Sequence, residues 1–232
     1  MHEIKGYCPI CDSKTRFIVK GPWFRDQLIC PKCKSIPRER ALAFVLSSLV
    51  PDWRNLVIHE SSPADRGISA KLKRECNHYL GSQFFPEINE TMVGDFHNVN
   101  LEKQGFMDEV FDVFISLDVM EHVFDPMKAI LEIHRTLKPG GYAVMTFPIQ
   151  KNQTDPLQFR ANKSGNKINH LKEPEYHGNP IDENGSLVTV DYGYDIHQEL
   201  TLWSNFNVQV IRFSRPDIGV IGEFTEVIVC EK

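Results

Sequence analysis

Seven consecutive residues, Phe111-Asp-Val-Phe-Ile-Ser-Leu117, are nearly all apolar and leave no polar face for water. A run of that length and β-branched character reads as a strand buried on both sides, the central member of a parallel sheet. That one strand demands helices above and below it, and the flanking sequence supplies them. Leu56–Glu60, Tyr79–Phe85 and, more weakly, Thr91–Gly94 read as strands before it, with Gly67–Cys76 as an amphipathic helix between the first two. After it, Pro126–Leu137 carries Met127, Ile130, Leu131 and His134 at helical spacing and stops at Pro139-Gly140-Gly141. Tyr142–Ile149 reads as the next strand and Asp195–Ser204 as a helix. Asn207–Phe213 and Glu223–Cys230 make a closing pair. The alternation predicts a Rossmann-like α/β fold, a seven-stranded mostly parallel sheet with an antiparallel C-terminal edge.

Ahead of this pattern the texture differs. Residues 1–36 are rich in Cys, Pro and Lys, with short β-prone runs such as Arg16–Val19. Cys8-Pro-Ile-Cys11 is followed, after eighteen residues, by Cys30-Pro-Lys-Cys33. Each CxxC turn brings two sulfurs within one metal-ligand spacing, and two turns complete a tetrahedral all-sulfur zinc site. With four thiolates no position stays open for catalysis, so the expected zinc is structural. Pro37 suits the first turn of a helix that runs to Val50 before Pro51. The domain expectation is therefore a zinc ribbon over 1–36, a linking helix over 37–52 and an α/β domain over 53–232. Cys76 and Cys230 fall in apolar segments and read as buried small hydrophobes.

Charge is unevenly spread: residues 1–40 carry nine Lys/Arg and four Asp/Glu, while the remainder carries seventeen and twenty-seven. A zinc centre with four cysteine ligands trims the ribbon's excess of +5 to about +3. A weakly basic appendage on an acidic body argues against general nucleic-acid binding. The first residues have no apolar h-region and no run approaches the roughly 20 apolar residues of a membrane span, so a cytoplasmic, reducing setting is expected.

The central strand together with the segment after it, Phe111-Asp…Glu121-His122-Val123…Leu137-Lys-Pro-Gly-Gly141, resembles class I S-adenosylmethionine (SAM)-dependent methyltransferases, the type 11 group with FD…EHV…LKPGG. The resemblance covers residues 54–150 well and 195–232 in pattern. It implies that SAM is the cofactor and that the turn after the first strand packs against its methionine part. In that turn the family has a D/E-x-G-x-G-x-G run. Here it is His59-Glu-Ser-Ser-Pro-Ala-Asp-Arg-Gly67, and only Gly67 remains. Either His59 or Glu60 takes the acid position, with Glu60 favoured to accept from the SAM ammonium. Ser61 and Ser62 would bond the carboxylate and Arg66 would pair with it. The ribose acid is replaced by Ser82 or Gln83, and the adenine contact falls on Asn100 and Leu101, with Asp95 competing. Leu117, ending the central strand, is counted with these.

Methyl transfer to a hydroxyl needs a base. Asp118 follows the central strand, His122 heads the next turn, and the long polar segment 150–194 carries His170, Tyr176, His177 and Asp191. Pro174-Glu-Tyr-His-Gly-Asn-Pro180 is bracketed by prolines, which favours His177 as the general base of a lid over the acceptor. Ribbon, glycine-poor turn and the helix start Arg38-Glu-Arg-Ala-Leu42 also resemble bacterial methyltransferases encoded beside sugar-processing and glycosyltransferase genes. This points to O-methylation of a saccharide or another small polar metabolite. Two alternatives stand beside it: an RNA methyltransferase, since ribosomal guanine methyltransferases also carry a cysteine ribbon, and a non-catalytic fold that binds a partner. The paired CxxC spacing predicts one zinc per chain on metal analysis. Freely titrating thiols at Cys8, Cys11, Cys30 and Cys33 in a zinc-free protein would overturn that.

Overall fold

The computed structural model describes residues 2–165, 167–179 and 182–232, with Asp182 as backbone only. Strands β1 (His2–Cys8) and β2 (Ser13–Val19) form an antiparallel hairpin. A single turn, α1 (Phe24–Gln27), leads to β3 (Leu28–Ile29), which pairs with the end of β2. Helix α2 (Pro37–Leu49) starts at its proline, and the Glu39 carboxylate reaches back to accept from the Ile36 N–H.

The α/β body continues with β4 (Val57–Ser61), α3 (Gly67–Glu75), β5 (His78–Gln83), β6 (Met92–Val93), β7 (Phe96–Asn98), β8 (Phe111–Leu117), α4 (Pro126–Thr136) and β9 (Leu137–Thr146). Residues 150–194 follow as short strands: β10 (Ile149–Gln150), β11 (Leu157–Phe159), β12 (Ala161–Ser164), β13 (Lys167–His170), β14 (Tyr176–Asn179), β15 (Asp182–Leu187) and β16 (Val190–Gly193). Helix α5 (Ile196–Ser204) and strands β17 (Asn207–Ile211) and β18 (Val227–Glu231) close the chain. Among the described residues no helix is long and apolar enough to cross a membrane.

The main sheet has the order β17-β18-β9-β8-β4-β5-β7-β6. Strands β7, β5, β4, β8 and β9 run parallel, and β18 and β17 add the expected antiparallel edge. The sheet has eight strands where seven were expected. The extra member comes from the third strand: Thr91–Gly94 holds only the outer arm of a hairpin turning at Gly94-Asp95, and the parallel strand is Phe96–Asn98. Arms of two and three residues give too little periodicity to place from sequence.

Alternation along the strands explains why β8 is apolar throughout. Val113 and Ile115 pack with Val144, Val227 and Val229 under Leu42, Leu46, Ile68 and Leu72 of α2 and α3. Phe114, with Ala143, Met145, Ile228 and Cys230, packs under Ile130, Ile133, Ile196 and Leu200 of α4 and α5. The ribbon has no separate interior: Cys8, Phe17, Leu28 and Cys30 belong to the same buried cluster as α2 and the sheet.

Fully buried Arg40 ties these parts together. Its guanidinium donates to the Leu28, Ser35 and Gly219 carbonyls (2.5–3.1 Å) and lies 4.4 Å from the Phe17 ring centroid. Gly219 has φ +69°, and a Cβ there would come within 2.7 Å of Phe17 and 2.8 Å of Arg40. Removing the guanidinium strands three buried carbonyls, each costly to leave unmade. Arg40→Leu is expected to lower the unfolding free energy by about 3–5 kcal/mol in denaturant titrations. A loss below about 1 kcal/mol would show that water replaces it.

Candidate active site

Strand order reverses between β4 and β8, so their carboxyl ends flank the crevice where ligands bind in open α/β sheets. Both strands end on a non-glycine residue in the left-handed region: Ser62 at φ +55° and Asp118 at φ +55°. Such conformations cost about 1 kcal/mol or more and persist where neighbours hold them. Here the Ser62 N–H donates to the Ser82 carbonyl (2.7 Å) and the Asp118 N–H to the Thr146 carbonyl (2.8 Å). The Thr146 hydroxyl also donates to Asp118 Oδ1 at 3.1 Å.

The ribbon reaches this edge. Arg25 and Arg38 both converge on Asp118 Oδ2, Arg38 Nε at 2.9 Å, and both also pair with Asp26. The three side chains meeting at Asp118 are nearly buried, at 10–15% exposure. Two cations and two anions thus cancel in a partly dry site. The sequence by itself singles out neither arginine for this site. Arg38 stood in the helix-start pattern, but only the packing of the ribbon shows where it points.

The other positions divide. His59 faces the α4 side of the sheet, fully buried among Phe106, Phe111 and Phe114, with Nε2 2.8 Å from the Ser82 hydroxyl. Burial, with His97 as a lesser cause, pulls its pKa down to about 3, so it is neutral and commits Ser82 with it. Glu60 faces α3 and is fully buried, accepting from Ser69 (2.5 Å) and Tyr79 (2.8 Å). Arg66 pairs with Glu39 at 2.8 Å. Gly67, at φ +58°, donates its N–H to the Cys33 carbonyl, and a Cβ there would come within 2.1 Å of Glu39. The glycine thus permits the close approach of α2 and the second cysteine knuckle to α3. Ser61, Ser62 and Leu117 lie at the crevice, and Gln83 ends β5 beside it. Leu101 is buried under α4, and the Asn100 side chain accepts from the Glu102 N–H. Asp95 is on the far hairpin, paired with Lys73.

A second cluster comes after β8. Glu121 and His122 lie in the short turn Met120–His122, and His177 is on β14 of the 150–194 segment. That segment is folded onto the turn: Tyr192 donates to the Met120 carbonyl (2.8 Å) and the Thr189 N–H to the Glu121 carbonyl (2.8 Å). His177 Nδ1 lies 3.5 Å from Glu121 Oε1, and His122 Nε2 lies 3.9 Å from the same oxygen. Glu121 raises the His177 pKa by offering its imidazolium a carboxylate. Of the other segment residues, Asp191 is held by Arg160 and Lys172, while His170 and Tyr176 are exposed. Pro180 lies outside the described residues. In the sequence Glu121 stands only as part of a motif, yet it is the carboxylate around which both histidines gather.

In the ribbon, Cys8 and Cys33 sulfurs are 3.7 Å apart and Cys11 and Cys30 sulfurs 3.8 Å. A tetrahedron of zinc–sulfur bonds of about 2.3 Å has edges of about 3.8 Å, so the four thiols fit that ion.

Solved structures share this fold. A SAM-dependent methyltransferase from Mesorhizobium loti is 14% identical, covering 83% of this chain and 98% of its own, with a TM-score of 0.55. The 1,6-didemethyltoxoflavin-N1-methyltransferase of Burkholderia thailandensis, solved with bound 1,6-didemethyltoxoflavin and S-adenosylhomocysteine, is 15% identical over 84% of this chain and 78% of its own, with a TM-score of 0.50. The architecture is therefore the Rossmann-like fold of SAM-dependent methyltransferases. By sequence, residues 68–145 match the family described as a methyltransferase domain. The ubiquinone biosynthesis O-methyltransferase of Cereibacter sphaeroides is 38% identical over 50 residues, 22% of this chain and 20% of that protein. A PKS-NRPS hybrid synthetase of Chaetomium globosum is 30% identical over 89 residues, 34% of this chain. The chain spans only 2–20% of the length of these curated relatives.

Glu60 gives this edge a pH signature. Burial raises its pKa from 4.5 to about 7, against the opposing pull of its two hydrogen bonds. The folded carboxyl keeps its proton to about pH 7 while the unfolded one loses it near 4.5. The stabilisation is therefore full below pH 4.5 and is lost as pH rises through 7. Glu60→Gln is expected to remove a decline of about 3 kcal/mol between pH 4 and pH 8 in denaturation midpoints, relative to wild type. Parallel pH profiles for the two proteins would overturn this.

Proposed function

We propose that the chain transfers the methyl group of SAM to a hydroxyl of a small polar acceptor, of which a saccharide is the favoured class. The observation that carries this is the charged pair at the crevice. SAM ends in an α-amino-acid zwitterion, one anion and one cation, and the site offers two guanidinium groups beside one carboxylate. Arg25 and Arg38 suit the SAM carboxylate through paired N–H donors, and Asp118 suits its ammonium. The amides and hydroxyls of Ser61 and Ser62 stand beside them, in place of the missing glycine run. When bound, SAM supplies a sulfonium methyl that an oxygen nucleophile can accept.

The acceptor side is the Glu121–His122–His177 cluster, where the hydroxyl's proton passes to an imidazole, His177 being the favoured base, as its oxygen takes the methyl group. Its setting is polar and carries carboxylate, imidazole and amide groups, which hydrogen-bond a polyhydroxylated molecule better than they stack a nucleobase. Segment 150–194 acts as the lid that selects this acceptor. Zinc in the four-cysteine site holds the ribbon, and with it Arg25, at the crevice.

Calorimetry with two ligands tests the reading. S-adenosylhomocysteine carries the amino-acid zwitterion and 5′-methylthioadenosine lacks it. Both are expected to bind the wild-type protein and to raise its melting temperature. Arg38→Met is expected to weaken S-adenosylhomocysteine about tenfold or more, as for loss of one charged hydrogen-bond partner, and to leave methylthioadenosine unchanged. Equal loss for both ligands would place the arginine outside the zwitterion contact. No heat from either at millimolar concentration would favour the non-catalytic, partner-binding reading.

A further inference from the structure

Glu121, His122 and His177 form a group that the methyl-transfer reading uses but does not explain. Glu121 is 2% exposed, and among the described residues neither carboxylate oxygen has a hydrogen-bond partner. A buried carboxylate left that way is costly, and native proteins resolve the cost with a paired charge or a metal. The nearest donors are His177 Nδ1 at 3.5 Å and His122 Nε2 at 3.9 Å, both beyond good hydrogen-bond geometry. All three donor atoms lie within 4.8 Å of one another. Around a divalent ion with bonds of about 2.0–2.1 Å, donors sit about 3.3 Å apart in a tetrahedron. Closing onto an ion therefore takes shifts well under a side-chain rotation.

The far side of each imidazole is the second observation. His122 Nδ1 is 2.8 Å from the Leu187 carbonyl, which can only accept, so this nitrogen carries the proton and Nε2 presents a lone pair to Glu121. His177 Nε2 faces the Glu175 carboxylate at 3.5 Å, so in the neutral ring with its proton on Nε2 the Nδ1 lone pair points at Glu121. An imidazole that binds metal donates its other N–H to a carbonyl or carboxylate in this way. The two rings meet at 5.2 Å and 89°, so their lone pairs converge on the carboxylate from different directions.

We propose that Glu121, His122 and His177 bind a divalent transition-metal cation at the mouth of the lid, separate from the four-cysteine zinc site. Two imidazoles and one carboxylate leave positions open, and the ligands that fit them are neighbouring hydroxyl oxygens of the acceptor. This rests on the methyl-transfer reading only for the identity of those last ligands. The imidazole nitrogens select a first-row ion over Mg2+ or Ca2+, which take oxygen. With the ion bound His177 is a ligand rather than the base, and the cation acidifies the acceptor hydroxyl so that its proton passes to solvent water. The same ion joins the lid to the turn after β8, because that contact has ligands on both of its sides.

The test titrates Mn2+ into the zinc-loaded full-length protein, followed by electron paramagnetic resonance, because a hard ion leaves the thiolate site undisturbed. One bound Mn2+ per chain is expected, with Glu121→Gln and His177→Ala each weakening it at least about 100-fold. Glutamine is isosteric and His177 is partly exposed on a hairpin, so both variants should keep the wild-type melting temperature and S-adenosylhomocysteine affinity. No binding of Mn2+, Fe2+ or added Zn2+ at millimolar concentration, or equal binding by wild type and both variants, overturns the site. Mn2+ bound without S-adenosylhomocysteine would retain the metal site and defeat the methyl-transfer reading. The converse pattern would do the reverse.

Discussion

The ion network at the end of β8 is the constraint on which the working edge of the molecule depends. Arg25 and Arg38 are brought to Asp118 by the ribbon and by the first turn of α2. Such a network contributes little net stability, because desolvating four charged groups offsets their attraction. Its value lies in position. An apolar contact of the same area could slide, whereas paired charges fix where the ribbon sits over the crevice. The pairs are also exchangeable: a ligand that brings its own anion and cation can replace both halves without stranding a buried charge.

Holding that network requires a rigid ribbon, and thirty-six residues cannot build one from a core alone. Two devices supply the rigidity. Four sulfurs at zinc-ligand spacing would, with a zinc ion bound, cross-link the hairpin to the second knuckle. Arg40 then fastens the backbone on both sides of that knuckle to Gly219 from the far end of the chain. The contact of Gly67 with Cys33 and Glu39 completes the seam. In this chain the turn after β4 is shaped by its own ribbon, which gives a physical reason for a glycine-poor sequence there.

How much the sequence reveals depends on the range of the forces involved. The parallel sheet and its helices can be read because strand and helix periodicity are local, and Phe111–Leu117 and Pro126–Thr136 lie within a residue of where the pattern puts them. The cysteine knuckles are legible because spacing alone carries their geometry. Side-chain direction at the strand ends is not. Glu60 stands out as a carboxylate at the right place, yet alternation in β4 turns it toward Ser69 and Tyr79, and the same alternation sends His59 into an aromatic cage. Segment 150–194 looks irregular in sequence because its strands are two to six residues long, below the length at which alternation shows. Arg25 could not be found from sequence, because its partner Asp118 lies 93 residues further along the chain.

Asp118 and Glu121 are three residues apart, and their different surroundings separate their roles. The protein sets two arginines against Asp118 and Asp26, so that site is balanced and suits a ligand whose own charges sum to nothing. Glu121 receives two imidazoles whose outward nitrogens face acceptors and whose inward nitrogens point at its carboxylate. The buried carboxylate favours a positive charge beside it, which a proton on His177 or a cation between the three groups can supply. The first site is paired as folded; the second leaves a buried carboxylate between two imidazoles, the arrangement on which the proposed cation site rests.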